Sequence, residues 1–538
     1  MKLLLFISVF LTLLSQASAQ DWKHYPYNPE HSLISFPKDE GHHTEEPTEW
    51  WYTFAKLKGV ETGNEYTAMF TFFVRDTLFF DGLRIFNISN ENTGEFFHDA
   101  KPVNYNANAT DHLDIEAEIY GQSRVETWKT KTDSTGKLIP FNYNLKAKAP
   151  FGSIDLDFDV VKRPLILADS GFLYQGSKNF TYYYSFTEIN VKGRLDLEGT
   201  NEKVEGKAWF DKQYGNFHPE VEEKYEWLSL KLSNGIDINL WQIFNNKYEV
   251  PKTPEFRQFN CYIDDSTAMN TTEFSIDRLE YFYSPDSART YCKKFLIKEP
   301  NLKLKLIVEV ANPNCEPSFP FNFYEGPLDI SGTVDGTDVT GFGFGELLHT
   351  YEKPRIEFVY PIDPWNILKP IQWKILNPDF GMPIFFNIYS KTPNTDYQLL
   401  KGNFTDSIFT VNPANFNSDS SYSFLLKYYS VDSFFLDTIS TKRFYRPLSN
   451  TQAQKESIKI YPTLFANKLT VQNINTVFTT GTKIALISEN SQIIFERILK
   501  QNTDKITINT ENISKGIYIL IITKGDSFYS KKIIHAFD

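Results

Sequence analysis

Strand-length runs of aromatic and β-branched residues, broken by turns containing Gly, Asn and Asp, recur along almost the whole of this 538-residue chain. Such residues suit a pleated, half-buried surface. Long helical periodicity is absent outside residues 1–19. The expectation is an all-β fold. Composition agrees, since 47 Phe and 30 Tyr help bring the aromatic share to 16%. Residues 66–74 (YTAMFTFFV) are apolar on both sides, as expected where one face meets a core and the other a second layer. Hairpins are expected around Ser233-Asn234-Gly235 and Asp335-Gly336, because Asn-Gly and Asp-Gly suit turns with positive φ. Residues 182–186, 191–197 and 203–210 are expected as separate strands joined by turns, one of them at Glu198-Gly199-Thr200-Asn201.

The chain is too long for a single core. Its net charge of −12 argues against nucleic acid and against anionic membranes as partners. Residues 1–19 read as a signal peptide: Lys2 is the basic start, 3–14 the apolar run and Ala17-Ser18-Ala19 the cleavage site. The run is shorter than the roughly 20 residues that a membrane span needs. Export of a chain without a transmembrane segment is expected. Cys261, Cys292 and Cys315 make an odd count, so one disulfide is possible with its pairing open. A composition shift near 352–361 introduces 361–447, of a length that suits a β-sandwich, vaguely fibronectin type III-like. A polar stretch at 448–457 reads as a linker before a last alternating segment, 458–538.

Familiar catalytic signatures are missing. There is no Gly-x-Ser-x-Gly elbow, no His-Glu-x-x-His and no phosphate loop between strand and helix. Asp155, Asp157 and Asp159 alternate with Leu156 and Phe158, which makes a strand with a solvated acidic face rather than a calcium loop. Adjacent His42 and His43 are expected in a loop, unable to reach one site together from a strand, and no metal or cofactor is implied.

What remains is a set of polar groups among aromatic ones. In 48–54 (TEWWYTF), Glu49 and Trp51 share one face while Trp50, Tyr52 and Phe54 share the other. In 206–216 (GKAWFDKQYGN), Trp209, Asp211 and Gln213 share a face. Gln242 shares a face with Ile238, Leu240 and Phe244 on the strand at 236–244. Buried polar groups need partners or a ligand. Glu49, Asp211 and Gln242 are therefore expected either to tie strands together or to line one apolar pocket.

These segments resemble a known family. FPKDEGHHTEEPTEWWYTF at 36–54 is similar to the opening motif of the carotenoid 1,2-hydratase (hydroxyneurosporene synthase)/AttH-like family. Residues 182–199, 206–216, 224–244 and 323–347 resemble its later motifs in order. The resemblance implies tandem lipocalin-like β-barrels, at 31–218 and 219–352, and includes hydratases of isoprenoid double bonds and pericyclase-type enzymes. Glu49, Trp50, Trp51, Tyr52, Asp211, Gly215 and Trp227 match the pattern. Lys212 and Glu40 stand where the family often has His, so proton transfer by those two histidines is not carried over. The tail, through IKIYPTLFANKLTV at 458–471 and ISKGIYILIITKGDSFYSKKIIH at 513–535, resembles the type A C-terminal sorting domain of the type IX secretion (Por) system. That implies passage through the periplasm and across the outer membrane, with the secretion machinery as a partner.

Three functions follow: an enzyme hydrating or cyclising an isoprenoid, lipid or polyketide-like molecule, a non-catalytic carrier of such a ligand, or a surface interaction module. For the enzyme, Asp211 or Glu49 is the expected acid. Trp50, Trp51, Tyr52, Trp209, Gln213, Trp227 and Gln242 are the expected substrate-binding residues.

Overall fold

The structure is a computed structural model. It describes residues 22–536 apart from 75–78, 218–223, 265–266, 320–321, 362–368, 377–381, 413–414, 417–419, 435, 442–457, 474–476, 489–491 and 525–526. The expected signal peptide and the 448–457 linker lie outside the described residues. The chain divides into two compact units. One holds the chain up to Arg355 together with Ile375–Phe386 and Lys427–Asp437, and the other holds Ile356–Lys374, Asn387–Leu426 and Thr438–Asp538.

In the first unit, twelve strands come first: β1 (Thr48–Gly59), β2 (Glu65–Val74), β3 (Gly82–Asn90), β4 (Glu95–Asn108), β5 (Asp114–Ile119), β6 (Val125–Thr132), β7 (Leu138–Ala149), β8 (Gly152–Val160), β9 (Leu165–Ile166), β10 (Phe172–Gln175), β11 (Asn179–Leu197) and β12 (Thr200–Asn216). Ten of them close a barrel, β11-β12-β1 through β8, with β8 returning to β11. The strand expected at 206–216 pairs with the one at 48–54, in the register Trp50↔Gln213, Tyr52↔Asp211 and Phe54↔Trp209. Residues 182–186 and 191–197 belong to one strand, β11. A bulge between Phe186 and Ile189 stands where a turn was expected. An extra residue in a ladder lets a strand bend sharply without ending it. Glu198 and Gly199, at φ 50° and 81°, make the tight turn into β12.

A continuous aromatic core, including Phe70, Phe72, Phe86, Trp128, Phe158, Phe186 and Phe210, occupies the barrel interior. Trp128 meets Phe210 edge-on at 5.3 Å, and Phe70 meets Phe72 edge-on at 4.8 Å. Such pairs add about 0.5–1.5 kcal/mol each beyond their burial. Trp22, Ile34 and Phe36, ahead of β1, pack into the same core.

Nine further strands form the second sheet: β13 (Lys224–Leu232), β14 (Asp237–Phe244), β15 (Arg257–Tyr262), β16 (Ala268–Thr271), β17 (Ser275–Ser284), β18 (Arg289–Glu299), β19 (Leu304–Val310), β20 (Tyr324–Val334) and β21 (Thr337–Leu347). Its order is β16-β15-β14-β13-β21-β20-β19-β18-β17, and it forms a half-barrel. Both expected hairpins are present, with Gly235 at φ 90° and Asp335-Gly336 at φ 46° and 78°. Cys261, Cys292 and Cys315 are buried and free, so none of them forms a disulfide.

Beyond Arg355 the strands Ile356–Tyr360, Ile371–Ile375 and Ile408–Phe409 form a three-stranded sheet, and Phe385–Lys391, Gln398–Phe404, Ser423–Tyr429 and Leu436–Ser440 a four-stranded one. The last segment has its own core, with Leu469, Val471, Ile484, Leu486, Ile508, Leu520 and Ile533 between a three-stranded and a five-stranded sheet. No helix among the described residues is long and apolar enough to cross a membrane.

Candidate functional site

Two cross-strand rows on the outer face of the barrel meet a third row on the half-barrel. Register places Trp50, Gln213 and Tyr183 side by side across β1, β12 and β11, and Tyr52, Asp211 and Ser185 in the neighbouring row. On the half-barrel, Trp241, Trp227, Glu346 and Glu325 run across β14, β13, β21 and β20. Because side chains alternate across a strand, each row presents its members to one face. Tyr52 meets Trp227 edge-on at 6.0 Å, and Tyr183 meets Trp241 at 5.9 Å. Phe54 stacks on Phe344 at 4.7 Å and closes the apolar floor.

Between the rows lies a narrow, partly open cleft with about 20 Å³ of internal space. Trp50, Tyr52, Gln175, Tyr183, Asp211 and Gln213 line it from the barrel side, and Tyr225, Trp227, Trp241 and Glu346 from the half-barrel. Aromatic walls with a few convergent polar groups are the usual anatomy of a small-molecule site.

Asp211 is the centre of its polar network. Its Oδ1 accepts hydrogen bonds from Ser185 Oγ at 2.5 Å and from Trp209 Nε1 at 2.9 Å. Asn239 of the half-barrel donates to Ser185 Oγ at 3.2 Å and to the Tyr183 hydroxyl at 3.1 Å, and accepts from Trp227 Nε1 at 3.3 Å. Burial pushes the Asp211 carboxyl up to about 7, against the pull of hydrogen bonds from Ser185, Trp209 and Tyr183, with the nearby Glu346 adding to the rise. Burial likewise raises Glu346, which accepts from the Tyr225 hydroxyl at 3.0 Å. Glu325 behind it is raised by burial and by Glu346, and is anchored by Asn87 Nδ2 at 3.0 Å. The Tyr52 hydroxyl stands between these two carboxyls. Burial thus moves the carboxyls of Asp211 and Glu346 up towards neutral pH, next to aromatic faces.

Of the residues singled out from the sequence, Trp50, Tyr52, Asp211, Gln213 and Trp227 lie on the cleft, and Trp209 supports Asp211 from behind. Glu49 and Trp51 do not. They sit on the opposite face of β1, where Lys212 pairs with Glu49 and lies 3.7 Å over the Trp51 ring. His42 and His43 both reach Glu49 there, at 2.5 and 2.7 Å through Nδ1. They do so from a loop, as expected, where neighbours can converge as they could not from a strand. Burial would raise Glu49, but the Lys212 charge and the two imidazoles hold it well below the usual carboxylate range. Glu40, in the barrel interior, accepts from Tyr25 at 2.6 Å and Tyr143 at 2.9 Å, and burial pushes it up to about 8.

Gln242 also lies off the cleft. It accepts from Arg278 at 2.9 Å, and Arg278 pairs with Glu226 at 2.5 Å. Glu49, Asp211 and Gln242 are thus split among three networks. Sequence reading missed Tyr183, Tyr225, Trp241, Glu346 and Gln175. The Ser233-Asn234-Gly235 turn carried the signal for Trp241, since counting outward from it pairs Trp241 with Trp227. Among the described residues no group of His, Cys, Asp and Glu side chains is arranged to hold a metal.

A barrel and half-barrel joined across an aromatic, carboxyl-bearing cleft define an all-β, barrel-built protein. The AttH-like family model matches residues 27–351, and the chain belongs to that family. Solved structures similar to it include AttH from Nitrosomonas europaea, 20% identical, covering 60% of this chain and 99% of that one at a TM-score of 0.49. Kievitone hydratase from Nectria haematococca is 14% identical, covering 60% and 98% at a TM-score of 0.49. No curated protein matches the chain. A secretion system C-terminal sorting domain matches residues 459–536. That domain marks the chain for type IX secretion to the cell surface or extracellular space.

Proposed function

We propose that the cleft binds an apolar, unsaturated small molecule of isoprenoid, lipid or polyketide-like character and hydrates or cyclises one of its double bonds, with Asp211 as the acid. The observation that carries this reading is a carboxyl raised to about 7, set among aromatic faces at the edge of a cleft. A general acid works best with a pKa near the working pH. In hydration, Asp211 gives its proton to one alkene carbon, and the resulting cation sits against the Tyr52, Trp227 and Trp241 rings. Water bonds to the other carbon and loses a proton to Glu346, which faces the cleft from the other sheet. In cyclisation a second double bond replaces water as the nucleophile, and Glu346 takes the proton whose loss ends the reaction.

A non-catalytic carrier would use the same cleft, because the barrel interior of a lipocalin-like carrier is here occupied by aromatic side chains. Native mass spectrometry of the full chain with membrane extracts, followed by product analysis of the bound species, separates the two. Chemical change in the bound molecule that disappears in Asp211→Asn supports the enzyme. Binding of an unchanged molecule supports the carrier, and no bound apolar species overturns both.

A further inference from the structure

Several of the cleft's polar hydrogens are in use within the protein. Trp227 donates to Asn239, Tyr225 to Glu346, and Gln213 Nε2 to Gln175 Oε1 at 3.0 Å. Just behind the cleft, Trp209 donates to Asp211. The Tyr52 hydroxyl makes no close hydrogen bond but stands by the Glu325 and Glu346 carboxyls; Trp241 is different. Its side chain is buried at 3% exposure, it lines the cleft, and its indole Nε1–H has no acceptor in the protein. A buried donor left unsatisfied is costly, so such a group is commonly matched by a ligand or by ordered water.

We infer that the ligand of this cleft carries one neutral oxygen function, a hydroxyl, carbonyl or ether, which accepts the Trp241 Nε1–H hydrogen bond while its apolar body lies along Trp50, Tyr52 and Trp227. This rests on the proposed binding of an apolar molecule and adds to it the oxygen and its place. A carboxylate would also accept from an indole, but Asp211, Glu346 and Glu325 share this cleft and its wall. None of the described residues lining the cleft is a Lys or Arg, so a carboxylate buried there would lack a countercharge. The selected ligand is therefore an apolar alcohol, ketone or ether, neither a pure hydrocarbon nor a free acid.

Fluorescence titration of the full chain with three polyenes of one shape tests this. They are all-trans-retinol, the hydrocarbon in which methyl replaces its CH2OH, and retinoate. Retinol is expected to bind about tenfold tighter than the hydrocarbon, the size of one added hydrogen bond. Retinoate is expected to bind at least about tenfold more weakly than retinol. In Trp241→Phe the smaller ring weakens binding of both, and the preference for retinol over the hydrocarbon is expected to fall from about tenfold to none, with a melting curve reporting that the variant folds. Equal binding of retinol and hydrocarbon by the parent overturns the inference and leaves the apolar site standing, because water then serves Trp241. A preference for retinol that survives Trp241→Phe, or retinoate binding tightest, overturns it too. Failure of all three to bind overturns it together with the apolar-ligand reading.

Discussion

Tyr52 and Asp211 are direct cross-strand partners, and that single register sets the chemistry of the cleft. It puts a phenol and a carboxyl side by side on the barrel's outer face, while Trp51 and Lys212, one residue along, pair on the inner face. A slip of one residue would exchange the two sets, because neighbours on a strand alternate faces. The same pairing therefore supplies both a raised acid facing the cleft and a buried ion pair facing the barrel.

Asp211→Asn keeps the shape of the carboxyl and removes its transferable proton. Turnover is expected to fall by about 10²–10⁴-fold, the usual worth of a positioned general acid. Ligand affinity should stay within about twofold per folded molecule, because an amide still accepts from Ser185 and Trp209. Product formation and fluorescence titration, measured beside a melting curve, check both parts.

The same substitution should change how stability follows pH. The folded value of Asp211, about 7, lies above its ordinary value of 3.8. Between those values the folded protein holds a proton that the unfolded chain has released, so stability falls as pH rises. The contribution is complete below about 3.8 and is lost through about 7. Asparagine has no such proton. The stability of the parent relative to Asp211→Asn should therefore decline from pH 4 to pH 8, as read by urea denaturation at each pH. A difference that is flat or rising across that window counts against a raised carboxyl.

Much of this was legible in the sequence because it depends on strand parity alone. The faces of 48–54 and 206–216 follow from alternation, and the register of the two strands keeps them. The grouping of Glu49 and Gln242 with Asp211 did not follow, because parity fixes faces within one strand and says nothing of which faces meet. Glu49 shares its face with Trp51 and looks into the barrel, where Lys212 and two loop histidines satisfy it. Gln242 is one residue from Trp241, which does face the cleft. Glu346 was hidden for another reason: its role depends on a row spanning β14, β13 and β21, assembled from distant parts of the chain.

Lys212→Met tests the separation of the two networks. It leaves Glu49 buried with its two imidazoles and without its principal countercharge. Breaking one side of a buried ion pair costs about 3–5 kcal/mol. Glu49 is depressed in the folded state, so the stability it contributes is present above its ordinary value of 4.5 and lost as pH falls. The variant should therefore be most impaired relative to the parent at neutral pH, with the gap narrowing towards acid. Cleft affinity per folded molecule should be unchanged, and a selective loss of ligand binding would contradict the assignment of Glu49 and Lys212 to the barrel side.

Removal of 458–538 takes away a segment with its own core and its own sheets. The rest of the chain keeps every residue of the cleft, so binding of an apolar probe by the truncated protein should match that of the full chain. Routing should change instead. The sorting domain directs export across the outer membrane, and without it the protein should accumulate in the periplasm. Cell fractionation together with protease shaving of intact cells reads the outcome. The full chain should be cleaved at the surface or recovered from the medium, and the truncated form should be protected until the outer membrane is opened. Equal surface exposure of both forms would mean that the address lies elsewhere in the chain.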